Sequence, residues 1–217
     1  MNCINKFFFI TVLLTNFGGP AFSQKPGITV RLSTMVNTHK HDVFILCRGT
    51  RLKTSIISRQ FNLFDSSINH VAVGFIENDA LVIFNVSDYN GRANAIRKED
   101  IQTFIEAPEV YRLGVWSLKV SSPDLLHFKK SCYEMLSRKV VFDSRFNLRN
   151  DDTLYCSEFS AKMLNSIPAL KDAFAPQKKI LDKPFYAAYL NRPVLIYYPV
   201  DFFLVSSKIQ FLYGEEF

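Results

Sequence analysis

Two β-rich stretches, His70 to Ile76 and Leu81 to Val86, stand on either side of the polar tetrad Glu77-Asn78-Asp79-Ala80. Such a pattern predicts a β-hairpin, and a hairpin constrains the fold around it because it dictates which side chains share a face. With Asn78-Asp79 as a two-residue turn, residues whose numbers sum to 157 lie opposite one another, which pairs His70 with Ser87 and Ala72 with Asn85. His70 and Asn85 then project to one side as diagonal neighbours. Ala72 and Gly74 share that side, and Val71, Val73 and Phe75 face the core behind it. A slip of one residue would bring Asp88 to the His70 face, so Asn85 is the first partner for the histidine and Asp88 the reserve. The small side chains beside His70 leave room for a second element, and a helix carrying Cys156 is expected there.

That helix is announced by Tyr155-Cys156-Ser157-Glu158-Phe159, which follows the polar loop Arg149 to Thr153 and precedes Met163 and Leu164 at helical spacing. A cysteine in a first helical turn is expected to have its pKa depressed by unpaired backbone N–H groups and the positive end of the dipole. The same N–H groups can donate to a developing oxyanion. A nearby imidazole can take the thiol proton and return it to a leaving group, and a third polar side chain orients the ring. The candidate catalytic set is therefore Cys156 as nucleophile, His70 as base and Asn85 as orienter, acting on acyl groups. Tyr155, adjacent to the nucleophile, either lines a substrate pocket or packs. Glu158 reads as a first-turn acid favoured by the dipole. His39, His41 and Asp42 form an H-x-H-D cluster without the fourth-ligand spacing of a structural zinc site, so neither metal nor cofactor is expected.

Elsewhere, Ile28 to Leu32 and Asp42 to Cys47 read as strands, and Leu52, Ile56 and Ile57 predict a short helix between Arg51 and Gln60. Ile96 to Ile105 reads as a short helix and Val110 to Val120 as a strand. Ser122 is expected to cap a helix with Pro123 at its first position and Leu125, Leu126, Phe128, Cys132, Met135 and Leu136 on its apolar face. Pro184, Pro193 and Pro199 limit helix in the aromatic-rich tail, where Val194 to Tyr198 reads as one more strand.

Lys6, the uncharged run Phe7 to Phe17, the Gly18-Gly19-Pro20 break and the small-x-small Ala21-Phe22-Ser23 form the pattern of a secretory signal peptide. Cutting after Ser23 would leave residues 24–217 as one globular domain of 194 residues, exported to the periplasm or secreted. No later stretch is long and apolar enough to span a membrane. The formal charge of +6 is modest and unclustered, which argues against nucleic acid as a partner. Cys47, Cys132 and Cys156 make an odd number after the signal, so at least one thiol is unpaired within the chain. Cys47 and Cys132 sit in apolar patterns and read as core residues.

Three segments together resemble the circularly permuted branch of the papain-like NlpC-type amidases, YiiX-like proteins included, which is related to lecithin:retinol acyltransferase-like enzymes. Asp42-Val43-Phe44-Ile45 is similar to that family's Gly-Asp-aliphatic strand, Asn69-His70-Val71-Ala72-Val73 to Ser-His-Val-Gly-Ile, and Tyr155-Cys156-Ser157-Glu158-Phe159 to Tyr-Cys-Ser-Glu-Leu. Phe142-Asp143 and Pro199-Val200-Asp201-Phe202-Phe203 also look like family features, and the likeness runs from Asp42 to about Lys208. It implies an α+β fold with a small, mostly antiparallel sheet or open barrel packed against the cysteine helix. It further implies Cys156 as nucleophile, His70 as base and a polar third residue at Asn85. The chain departs from the pattern at His41 and Ala72, where the family has Gly, and at Asn85, where relatives often have an acid. The activity expected is hydrolysis of an amide through a thioester, in peptidoglycan stem peptides or a related amide. The alternatives are a lipid acyl hydrolase or acyltransferase on the same fold, and a binding protein on a decayed enzyme.

Overall fold

The computed structural model of the protein describes residues 38–52, 56–88, 94–107 and 109–217. The expected signal segment 1–23 and the strand expected over Ile28 to Leu32 lie outside them. Strands β1 (Asp42–Thr50), β2 (His70–Glu77), β3 (Ala80–Val86), β4 (Ile96–Glu99), β5 (Val110–Lys119) and β10 (Ile209–Glu216) form one open six-stranded sheet in the order β10-β5-β1-β2-β3-β4. Every neighbouring pair in it is antiparallel. With a few short helices around this sheet the fold is α+β, as expected. Two smaller two-stranded sheets pair β6 (Val141–Phe142) with β7 (Thr153–Leu154) and β8 (Gln177–Ile180) with β9 (Val194–Tyr197).

The β2–β3 hairpin has the expected register, with Val73 opposite Phe84, Gly74 opposite Ile83 and Glu77 opposite Ala80. Asn78 and Asp79 both take positive φ, 51° and 59°, the backbone that a two-residue hairpin turn requires and that Asn and Asp tolerate. β1 runs three residues beyond Cys47, so that Arg48 lies directly opposite His70.

The helices are α1 (Ile56–Gln60), α2 (Ile101–Ile105), α3 (Ser122–Ser137), α4 (Cys156–Asn165) and α5 (Pro184–Leu190). Three differ from the sequence reading. Ile96 to Ile105 is a strand followed by a helix, because Ile96 to Glu99 pair with β3 and the Asp100 carboxylate then caps α2 by accepting from the Thr103 N–H at 2.7 Å. α3 is capped by Ser121 rather than Ser122, and Leu126 points to solvent while Leu125, Phe128, Cys132 and Met135 are buried. In the tail, Pro184 sits in the first turn of α5, where its missing N–H costs nothing, and so begins a helix rather than preventing one.

The sheet separates two apolar layers. Val43, Ile45, Cys47, Val71, Val73 and Phe75 face α3 and α4, and the shared core includes Phe128, Cys132, Cys156, Phe159 and Leu164. Phe44, Leu46, Ala72, Ile83, Leu113 and Val115 face the other way, against Phe104 and Ile105 of α2. A third cluster around Phe61 joins Leu181, Tyr186, Leu190, Leu195 and Tyr197. Among the described residues no helix is long and apolar enough to cross a membrane.

Candidate active site

Cys156 is the first residue of α4, and the chain enters the helix from Tyr155 in extended backbone. That entry is clamped to the chain near residue 198. The Tyr155 hydroxyl accepts from the Tyr198 N–H at 2.8 Å, and the Ser157 hydroxyl donates to the Tyr198 carbonyl at 2.7 Å. The Tyr155 ring packs edge-on against Phe146, with centroids 4.9 Å apart. It is 1% exposed.

The backbone N–H groups of Val71, Ser157 and Cys156 itself pull the Cys156 thiol pKa down. Donors of this kind, together with the Arg48 guanidinium, favour thiolate, yet burial outweighs them and pushes the thiol above its ordinary value. This corrects the expectation of a depressed pKa: the helix start supplies the dipole, but Cys156 is only 8% exposed. Cys47 and Cys132 are also buried thiols with raised pKa, and the three cysteines among the described residues are unpaired.

His70 opens β2, and its Nε2 lies 2.5 Å from Asn85 Oδ1. Asn85, 1% exposed, passes its own Nδ2–H to Glu99 Oε2 at 3.0 Å. In this orientation of the amide its oxygen can only accept, which assigns the ring proton to Nε2 and the lone pair to Nδ1. Asp88 lies past the end of β3 and is exposed. Burial, and then the charge of Arg48, lower the imidazole pKa to about 3 against a smaller upward pull from Asn85, so the ring is neutral near pH 7. Arg48 is itself 8% exposed, donates to the Phe104 carbonyl at 2.6 Å and lies 4.6 Å from the Phe104 ring centroid. The His70 ring centroid is 6.0 Å from the same phenyl ring.

The arrangement corrects the expectation that the cysteine helix covers the His70 face. The wide apolar surface of Val71, Val73 and Phe75 offers more area to bury, and α4 packs there; Ala72 and its neighbours are covered by α2 instead. Thiol and imidazole therefore belong to opposite faces at one strand end, the thiol on the side of Val71 and the ring on the adjacent residue. Among the described residues no hydrogen bond joins the two side chains. Arg48 and Glu99 went unread in the sequence. Arg48 carried one signal, a lone cation closing an apolar strand.

Other chemistry-bearing residues have structural partners. His39 Nδ1 meets Asp42 Oδ2 at 2.8 Å, and among the described residues no three His, Cys, Asp or Glu side chains converge as metal ligands. Glu158 is fully buried beside Lys162, its Oε1 2.7 Å from the ammonium, and burial raises its pKa to about 7. The Asp201 carboxylate accepts from the N–H groups of Leu63, Phe64 and Asp65 at 2.6 to 3.0 Å. A cavity of about 210 Å³ lies elsewhere, between Leu118, Ser121, Asp124 and Leu170.

No family model matches the chain, and no curated protein matches it. Among solved structures it is similar to the crystal structure of metalloprotein YiiX from Escherichia coli O157:H7, with a TM-score of 0.61 and 14% identity over 81% of this chain and 98% of that one. At that identity the likeness is one of fold. The neighbour is described as a metalloprotein; among the described residues of this chain no three His, Cys, Asp or Glu side chains come together as a ligand set. What the comparison shows is that this chain has a YiiX-like fold.

Proposed function

We propose that the protein is a cysteine hydrolase of the permuted papain-like type, related to the NlpC-type and lecithin:retinol acyltransferase-like enzymes, that cleaves an amide bond. One observation carries the reading: Asn85 Oδ1 lies 2.5 Å from His70 Nε2, on the residue adjacent to Val71, whose N–H pulls the Cys156 thiol pKa down. The YiiX-like fold is compatible with it.

With a raised thiol and a depressed imidazole, the resting pair is neutral rather than a thiolate–imidazolium pair. Side-chain rotation at Cys156 brings the sulfur toward Nδ1 when substrate enters, while Asn85 keeps the His70 ring in place, since catalytic contacts tighten in the substrate complex. Nδ1 then takes the thiol proton as sulfur attacks the acyl carbon. The backbone N–H groups at the start of α4 donate to the developing oxyanion. Collapse breaks the C–N bond, and Nδ1–H protonates the departing amine. Water, deprotonated by the same nitrogen, then hydrolyses the thioester.

Residues 1–23 as a cleaved signal, and export to the periplasm or beyond, make stem peptides of peptidoglycan the first substrate to test. The assay is incubation of the protein with muropeptides and, separately, with phospholipid, with the broken bond identified by mass spectrometry. Amide cleavage that vanishes in both Cys156→Ala and His70→Ala, with folding unchanged by circular dichroism, is expected. Undiminished turnover in either variant removes the assignment, and release of fatty acid alone replaces amide with lipid ester.

A further inference from the structure

The catalytic reading requires His70 to hold its proton on Nε2, yet Asn85 by itself does not guarantee that. An amide side chain is nearly symmetric in shape, and turning it over exchanges acceptor for donor. A reversed Asn85 would present N–H to Nε2, force the ring proton onto Nδ1 and leave no lone pair for the thiol proton. Glu99 removes that choice. Its carboxylate oxygen lies 3.0 Å from Asn85 Nδ2, and a carboxylate only accepts, so a reversed amide would set two acceptor oxygens against each other.

The strand register explains why Glu99 reaches this point. Arg97 is directly opposite Asn85 and Glu99 is opposite Ile83, so Glu99 is the diagonal neighbour of Asn85 on one sheet face. His70 is the diagonal neighbour on the other side, through the β2–β3 ladder. Three strands thus carry a line of three side chains, with the histidine at one end and the carboxylate at the other. The carboxylate also polarises the Asn85 carbonyl through its N–H, which returns part of the charge that a neutral third residue lacks.

We propose that Glu99 is a positioning residue: it holds the Asn85 amide in one orientation, and through it fixes His70 as the Nε2–H tautomer with Nδ1 as the base. The consequence for catalysis rests on the hydrolase reading above, whereas the tautomer itself does not. Two-bond 1H–15N correlation spectra of the full chain labelled on histidine read the tautomer directly, with the His70 signals assigned by their loss in His70→Gln.

The wild-type protein is expected to show a bare Nδ1, and Glu99→Gln a mixed population with Nδ1–H present. Alkylation of Cys156 by iodoacetamide at pH 7 is expected to slow about tenfold in that variant, in line with the loss of an outer partner that orients a functional side chain. In an Asn85→Asp background either carboxylate oxygen can accept from Nε2, so Glu99 is no longer needed and repels its neighbour. There Glu99→Gln is expected to speed alkylation. A residue that merely supported the fold would cause the same loss in both backgrounds, and that result overturns the proposal, as does an unchanged tautomer in Glu99→Gln. A tautomer shift in a protein that hydrolyses nothing would sustain the role of Glu99 and end the hydrolase reading.

Discussion

His70, half-buried, and Glu158, fully buried, have opposite consequences for stability. The native imidazole refuses a proton that the unfolded chain accepts between its depressed value of about 3 and the ordinary 6.5, so in that window stability falls as pH falls. Glu158 does the reverse. Its native carboxyl keeps a proton that the unfolded chain releases between 4.5 and about 7, so stability falls as pH rises. Each slope is about 1.4 kcal/mol per pH unit for one proton, and over the shared window they cancel. Urea denaturation of Glu158→Gln between pH 4.5 and 6.5 is expected to gain a rising slope of about that size relative to wild type, and His70→Gln a falling one. Parallel curves for wild type and variants would contradict the burial of these groups. The raised thiol has its own signature: Cys156 alkylation should keep climbing above pH 9, whereas a pre-formed thiolate–imidazolium pair would show a plateau through neutral pH.

At the scale of elements, the hairpin was legible because its rule is local. Two residues able to take positive φ set the turn, the turn sets the register, and the register alone brings Asn85 to His70. Gly74 belongs to the same device: a Cβ there would strike the Val82 carbonyl of the paired strand, so the β2–β3 approach depends on its absence. Gly74→Ala is expected to lower stability by about 2 kcal/mol in urea denaturation, within the range found for overpacked positions. Glu99 was not legible by the same rule. Ile96 to Ile105 carries apolar residues at helical spacing, and only the open edge of β3 recruits its first half as a strand. Arg48 was hidden for a related reason. Its place opposite His70 depends on the pairing of β1 with β2, and the intervening chain contains no two-residue turn to set a register.

At the scale of the molecule, the C-terminal part of the chain holds the loop that leads into β2. Asp201 is fully buried, and its carboxylate satisfies three successive N–H groups of residues 63 to 65 across more than a hundred residues of sequence. Asn62 closes the same junction by accepting from the Val200 N–H at 3.2 Å. Asp201→Ala leaves three part-buried backbone donors without their charged acceptor and is expected to cost about 2 kcal/mol, read as a lower urea midpoint with an unchanged slope. Iodoacetamide labelling of Cys156 should rise as well, because Tyr198, adjacent to this junction, is the residue that clamps the start of α4.

Short-range chemistry sufficed for a turn of Asn78 and Asp79, a helix that begins at Cys156, core positions for Cys47 and Cys132, and the pairing of His70 with Asn85. Which sheet face the cysteine helix covers, which cation stands beside the imidazole, and the uncharged resting state of thiol and imidazole all follow from packing between distant segments. The reason is physical. Turn and cap preferences act over a few residues, whereas burial and charge proximity sum over groups that meet only when distant strands pair, and at this site burial is the larger effect.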